Sequence, residues 1–372
     1  MPRHSLLIAL TAALALVGCS TGVSHTGHSE SSLEDTSTST GHTREYFIRA
    51  DEVVWDYAPS GKNLITDRAF TPSEGVFTDS RVNGRGTKYV KCLYRAYTDE
   101  SFSTPVAQDP SMGYLGPTIY AEVGDKVIVH FKNSCSFANS IHVHGFTYDK
   151  ASEGAPYNDG TTTKADDLVR TGAVYVYKYT VPSTAGPADM DGSTAMWMYH
   201  SHSDEISDVY AGMAGFIVVT KAGQANANGT PRDIDRNLFL LYEVTDENQS
   251  SLADKNFAAI DLKERESESF VESNLKHSIN GFIYGNLPMP SMSTGQRVRW
   301  YVMAMGNEVD IHTPHWHGNT SVVNGMRMDS VSVFPGTMVT TDMQPANKGI
   351  WLMHCHVADH IAAGMIARYE VK

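Results

Sequence analysis

Near its C-terminus the chain reads His354-Cys355-His356, then His360, then Met365. One thiol sits between two imidazoles, with a third imidazole five residues on and a thioether ten residues on. Two imidazoles, a thiolate and a weak axial thioether are the ligands of a blue-copper electron-transfer site. Cys355, His360 and Met365 supply three of these groups, and the second imidazole must come from elsewhere in the chain. On a strand the neighbours of Cys355 point to the opposite face, so His354 and His356 are free to serve a second metal site.

Three further clusters can build that second site: His142-Val143-His144-Gly145, His200-Ser201-His202, and His312-Thr313-Pro314-His315-Trp316-His317. With the tail they hold ten of the sixteen histidines. In each His-x-His pair, strand alternation puts both rings on one side. A single pair of this kind is more often an ordinary strand pair. Four clusters in the order HxHG, HxH, HxxHxH, HCHxxxH, with the only late cysteine inside the last, leave that reading little room. In this pattern the chain resembles the multicopper oxidases over nearly its whole mature length. The resemblance implies four coppers per functional unit. His312, Cys355, His360 and Met365 match the type 1 ligands, and His142 and His315 match the type 2 pair. His144, His200, His202, His317, His354 and His356 match the ligands of the coupled type 3 pair. It also implies a division of labour. Single electrons enter at the type 1 site, Cys355 passes them through His354 and His356, and dioxygen is reduced to water by four electrons at a trinuclear cluster.

The elements that must position these residues read as strands. From residue 45 onward, short runs rich in Val, Ile, Tyr and Thr alternate with Gly, Pro and Asn turns. The runs are 126–132, 173–181, 215–220, 237–244, 297–303 and 337–343. This is an all-β pattern of sandwiches or barrels, with one short helix expected over 264–274. An internal repeat points to two copies of one unit. Gly124-Asp125-Lys126-Val127 precedes the first histidine cluster as Gly295-Gln296-Arg297-Val298 precedes the third. A Trp-x-x-His core recurs at Trp197–His200 and Trp351–His354, and each copy ends in Gly-Met, at Gly212-Met213 and Gly364-Met365. Ser201 stands where Cys355 stands, so the first unit lacks a type 1 thiolate and Met213 reads as core. The resemblance makes both units cupredoxin-like Greek-key β-sandwiches, over 45–222 and 232–372, joined by the Gly-, Ala- and Asn-rich stretch 221–232. Each unit holds four of the eight trinuclear histidines, so the cluster belongs where a first unit meets a second. Two-domain relatives close that contact between subunits, which implies a homotrimer.

Length and composition allow this organisation. The 372 residues suffice for two domains of about 150 residues and a tail, and a hydrophobic content of 41% suffices for their cores. A net charge of −13 without basic runs argues against nucleic acid as a partner. Residues 1–18 read as an export signal, with Arg3, an apolar stretch over 6–16 and a closing Leu16-Val17-Gly18-Cys19 that looks like a bacterial lipobox. The stretch is too short for a stable span. A lipid on Cys19 would anchor the chain on the periplasmic or extracellular side of a membrane. Residues 19–44, mostly Ser, Thr, Gly and His, read as a disordered tether in which His25, His28 and His42 do nothing specific. Cys92 and Cys135 remain, as a disulfide permitted by export or as two buried thiols.

Within the family, the closest resemblance is to ceruloplasmin-like ferroxidases. It rests on Ser152-Glu153-Gly154-Ala155, Ala165-Asp166-Asp167, Asp246 to Ser250, Ser278 to Gly281, Gly306 to His312 and His354 to Met365. Such proteins take ferrous iron beside the type 1 copper, and the matching residues are Glu272, His277, Glu308 and Asp359, with Glu308 able to serve a neighbouring domain's site. Three carboxylates and an imidazole suit a divalent ion and favour the ferric product. The bland alternative is that these acids are surface charges or orient the copper ligands. The expected reductant is Fe2+ or Cu+, although Met303, Met305, Met326, Met328 and Met343 read as core filler rather than cuprous ligands. A two-domain laccase oxidising phenols or aromatic amines shares every copper ligand. A nitrite reductase or a simple electron carrier leaves the eight trinuclear histidines unexplained. Asp204, Glu205 and Asp208 are the carboxylates from which protons for the cluster could come.

Overall fold

The structure, a computed structural model, describes residues 41–372. The export signal, Cys19 and all but the end of the tether lie outside the described residues.

Among the described residues, eighteen strands form four sheets. In the first half, β1 (Thr43–Asp56), β2 (Lys88–Tyr97), β3 (Ile119–Glu122), β4 (Lys126–Asn133), β5 (His142–Val143), β6 (Val174–Thr180), β7 (Thr194–His200) and β8 (Ala214–Thr220) make sheets of order β2-β1-β4-β6 and β3-β8-β7-β5. The second half has β9 (Arg236–Asp246), β10 (Leu275–Ile279), β11 (Ser291–Met292), β12 (Val298–Ala304), β13 (Pro314–Trp316), β14 (Ser321–Val323), β15 (Met326–Met328), β16 (Met338–Met343), β17 (Gly349–Cys355) and β18 (Ile366–Val371). These form sheets of order β10-β9-β12-β16-β14-β15 and β11-β18-β17-β13. The same β-sandwich thus occurs twice.

The sequence dictates which strands lie inside. β4 alternates strictly, with Val127, Val129 and Phe131 inward, as a strand solvated on one face must. β8, β9 and β12 are nearly continuous apolar runs because both of their faces are covered. On β12, Val298, Trp300, Val302 and Ala304 fill the second sandwich. Tyr301 and Met303 on its other face join a core shared with Phe216 and Val218 of β8, Met196 and Met198 of β7, and Phe239 and Leu241 of β9. The two sandwiches are therefore cemented by an apolar layer. Buried polar ties also cross it, two of them made by cationic side chains. Lys91 meets Glu247 at 2.8 Å, and Arg299 donates to Ser193 and Thr194.

Two expectations change and one open alternative is decided. β1 begins at Thr43, and the backbone N–H of His42 already donates to Asp125, so the ordered chain reaches into the segment read as tether. The helix expected over 264–274 is two helices, Leu262–Arg265 and Glu268–Ser273, because Ser267 turns out of the first and caps the second by accepting from the Phe270 N–H. Cys92 and Cys135 form a disulfide across 43 residues, a loop whose closure stabilises by ~4 kcal/mol in the chain-entropy account. Among the methionines, Met303, Met305 and Met343 are buried while Met326 and Met328 are exposed on β15. Among the described residues no helix is long and apolar enough to cross a membrane.

Candidate metal centres

Cys355 ends β17, His360 lies on the short helix Ala358–Ala362, and His312 precedes β13. All three are buried, and they bring three donor atoms to one point. Cys355 Sγ lies 3.9 Å from His312 Nδ1 and 3.8 Å from His360 Nδ1, and the two nitrogens are 3.2 Å apart. Such separations suit three donors that each bond one ion at about 2.0–2.3 Å. The His312 ring is aimed by Asp310, whose Oδ1 lies 3.1 Å from His312 Nε2 and also accepts from the Val244 N–H. Sγ accepts from the backbone N–H groups of Thr313 and Val357. Met365 is buried in the same core, with its carbonyl accepting from the Cys355 N–H. Burial pushes the thiol pKa up and the pKa of His312 down to about 4, so both imidazoles are neutral donors at ordinary pH. A cation is what would offset the buried thiolate. Asp310 was missed by the sequence reading, because nothing in Val-Asp-Ile-His marks which acid turns inward.

The other eight histidines form two groups of four built alike. His142 of β5 pairs with His200 of β7, and His315 of β13 pairs with His354 of β17. His144 Nε2 lies 3.2 Å from His200 Nε2, and His317 Nε2 lies 3.1 Å from His354 Nε2. The fourth members are close too. His202 stands 5.1 Å from His142 and His356 stands 4.8 Å from His315, ring centre to ring centre. Backbone carbonyls fix the tautomers. Nδ1 of His142, His200, His315 and His354 meets the carbonyls of Glu153, Ser201, Asp329 and Cys355 at 2.7–3.0 Å. A carbonyl only accepts, so these Nδ1 atoms carry the proton and Nε2 is left as the metal donor. Burial, the largest cause, lowers the pKa of His144 to about 4 and of His200 to about 3, keeping them neutral. The glycines that follow His144 and His317 are required by packing. A Cβ on Gly145 would sit 2.5 Å from the Trp197 ring, and one on Gly318 would sit 2.6 Å from the Trp351 ring.

Among the described residues of one chain, no ring contact or shared donor group joins the two fours. His144 and His200 open on a cavity of about 600 Å³ that Glu205, Tyr210, Met305 and Glu308 also line. His315 and His317 open on another, bordered by Asp329 and Trp351. Of the three candidate proton carriers, Glu205 reaches the histidines, 3.2 Å from His202 Nε2. Asp208 is buried and faces Ser201 instead.

The residues matched to an iron site are only partly gathered. His277 is buried with its ring 5.2 Å from that of His360, and its Nδ1 has no hydrogen-bond partner. Burial drives its pKa down to about 3, which the nearby carboxylate of exposed Asp359 partly opposes. Glu272 sits exposed on the helix Glu268–Ser273. Glu308, which the resemblance leaves able to serve a neighbouring domain's site, lines the cavity of His144 and His200. A turn closes with the Asp310 N–H on the Asn307 carbonyl, and it sends Asp310 inward and Glu308 out to the cavity of His144 and His200.

Models of the multicopper oxidase family match residues 111–224 and 257–372. The chain belongs to the multicopper oxidases. Family membership makes copper the cofactor, in type 1, type 2 and type 3 sites, and the fold a pair of cupredoxin-like sandwiches. The chain is 40% identical over 338 residues to ferroxidase HEPHL1 of Homo sapiens, covering 88% of this chain and 29% of that protein. It is 38% identical over 341 residues to ceruloplasmin of Rattus norvegicus, covering 89% and 32%. It thus spans about a third of the length of these curated relatives. A copper nitrite reductase from Nitrosomonas europaea matches in structure with a TM-score of 0.57 at 16% identity, over 89% of this chain and 94% of that one, which is a likeness of fold alone. The sandwich occurs twice in this chain, and among the described residues only the second copy has a free thiol.

Proposed function

We propose that this multicopper oxidase is a ferroxidase-like enzyme that couples one-electron oxidation of Fe2+ or Cu+ to four-electron reduction of dioxygen to water. The observation that carries this reading is a single covalent junction. Cys355, grouped with His312 and His360, is bonded through the backbone on either side to His354 and His356 of the second histidine four. Copper, when bound, supplies the one-electron chemistry at the first group and the oxygen chemistry at the second.

The chain's own residues do the rest. His312, Cys355, His360 and Met365 would hold type 1 copper, with Asp310 aiming His312. His142 and His315 would hold type 2 copper, and His144, His200, His202, His317, His354 and His356 the type 3 pair. Glu205, beside His202, is placed to hold a proton at that cluster. His277, with its orphaned Nδ1 next to His360, and Asp359 and Glu272 on the exposed rim would bind ferrous iron where the electron enters. Glu308, turned towards the other cavity, would complete the same site of a neighbouring subunit. The two fours are not joined among the described residues of one chain, which supports a ring of three subunits that joins the first sandwich (45–222) of one to the second (232–372) of the next. The word ferroxidase in the name of a 40% identical relative supports iron as substrate.

The deciding experiment is oxygen uptake by the copper-loaded protein with ferrous iron and with a phenol. Iron turnover is expected to exceed phenol turnover, and Glu272→Ala and Asp359→Ala should each cost iron turnover about tenfold or more while sparing phenol. Equal loss of both activities would make these carboxylates structural, and phenol turnover alone would make the enzyme a two-domain laccase. We also propose that residues 1–18 direct export and that a lipid on Cys19 anchors the chain outside the cytoplasmic membrane. Cys19→Ser is expected to move the protein from the membrane to the soluble fraction, and an unchanged distribution would remove the anchor.

A further inference from the structure

The first sandwich lacks a type 1 thiolate, yet the place for one is built. Its residues can be matched through hydrogen bonds. The Ser201 N–H donates to the Met213 carbonyl and the Cys355 N–H to the Met365 carbonyl, both at 3.2 Å. Counting back from these methionines, the Met213 N–H donates to the Asp208 carbonyl as the Met365 N–H donates to that of His360. Asn139 is bridged to Val169 as His312 is bridged to Val333. The Ser140 N–H reaches Ser201 Oγ at 3.1 Å where the Thr313 N–H reaches Cys355 Sγ at 3.3 Å. Asn139, Ser201, Asp208 and Met213 therefore occupy the positions of His312, Cys355, His360 and Met365.

The Asp208 carboxylate fills that space with hydrogen bonds. Its Oδ2 accepts from Ser201 Oγ at 2.6 Å and from the Asp204 N–H, and its Oδ1 accepts from Ser251 Oγ of the second half at 2.6 Å. Ser201 lies between His200 and His202. Ser140, which donates its N–H to Ser201, accepts from the His202 N–H through its own hydroxyl and lies two residues before His142. Charge-assisted bonds of this kind are the strong ones, and removing the shared acceptor would orphan two hydroxyls at a buried site.

We propose that Asp208 is a positioning residue for the histidine four of the first sandwich. It clamps Ser201 as a bound ion would clamp Cys355, and through Ser251 it fastens this half of the copper cluster to the second sandwich. The proposal rests on reading His142, His144, His200 and His202 as copper ligands.

The test compares Asp208→Ala, Asp208→Asn and Ser251→Ala in the full chain. An asparagine can accept from one serine and donate to the other, so it keeps the clamp without the charge. In metal-free protein, Asp208→Ala is expected to speed hydrogen exchange at residues 200–203. In copper-loaded protein it is expected to weaken the absorption and magnetic signature of the coupled coppers and lower kcat by about tenfold to a hundredfold, with the blue absorption and the KM for reductant unchanged. Asp208→Asn should restore most of each signal, and Ser251→Ala should show the same losses in smaller degree. Unchanged exchange and an intact coupled-copper signature in Asp208→Ala would overturn the proposal. So would an Asp208→Asn as impaired as the alanine, since charge rather than position would then matter. Wild-type protein without coupled copper would overturn the underlying ligand reading, and the exchange experiment would register that separately.

Discussion

Cys355→Ser is expected to abolish the blue absorption and to lower oxygen uptake with iron and with phenol alike by at least about a thousandfold, which is ~4 kcal/mol of barrier. The reason is local. Sγ is one of three donors that converge with His312 Nδ1 and His360 Nδ1, and it is the atom that links this group through the backbone to His354 and His356. A serine hydroxyl is a hard, weak donor where a soft thiolate is needed. A serine is compatible with this backbone, because Ser201 fills the equivalent position in the first sandwich with the same 3.2 Å backbone bond to its methionine partner, and an unchanged melting temperature of the metal-free variant checks that the fold is kept. The histidine fours do not include Cys355, so the copper bound there should be retained. Uptake within tenfold of wild type would mean that electrons do not enter through Cys355, and would end the type 1 assignment.

What the sequence made legible follows from what folds locally. β4 shows its alternation because one face meets water, and its predicted span 126–132 differs from the observed strand by one residue. The duplicated Trp-x-x-His segment was visible, and its tryptophan ring packs in both halves against a glycine, Gly145 or Gly318, that tolerates no Cβ. Asp208 was hidden by an unequal loop. It lies seven residues after Ser201 while His360 lies five after Cys355, so a count from the front misaligns them, although each lies five residues before the methionine of its Gly-Met pair, as the hydrogen bonds to the methionines also show. Which way Glu308 faces was not legible, because adjacency to His312 fixes the backbone but not the direction of a side chain across a turn. The cement between the sandwiches was legible as apolar runs in β8, β9 and β12, but which alternate residues serve which core is a property of the assembled layers.

Because the two histidine fours are not joined among the described residues of a chain, variants crippled in different halves should rescue each other. His144→Ala removes a ring from the first four and His317→Ala removes its counterpart from the second, each from a pair whose Nε2 atoms lie 3.1–3.2 Å apart. Each homogeneous variant is expected to lose oxygen uptake almost completely. If three chains close head to tail, every complete cluster combines the first four of one chain with the second four of the next. In a ring made of both variants, one of the three junctions then unites two undamaged halves. With random mixing three quarters of the rings are mixed, so uptake should return to about a quarter of wild type in a closed heterologous trimer. Mixing must occur during refolding or co-expression, since assembled rings need not exchange. A site built within one chain predicts no recovery, because each chain carries a damaged four. Recovery near one quarter would therefore establish that the cluster is shared between chains, while its absence in mixed trimers verified by mass would confine the cluster to single chains.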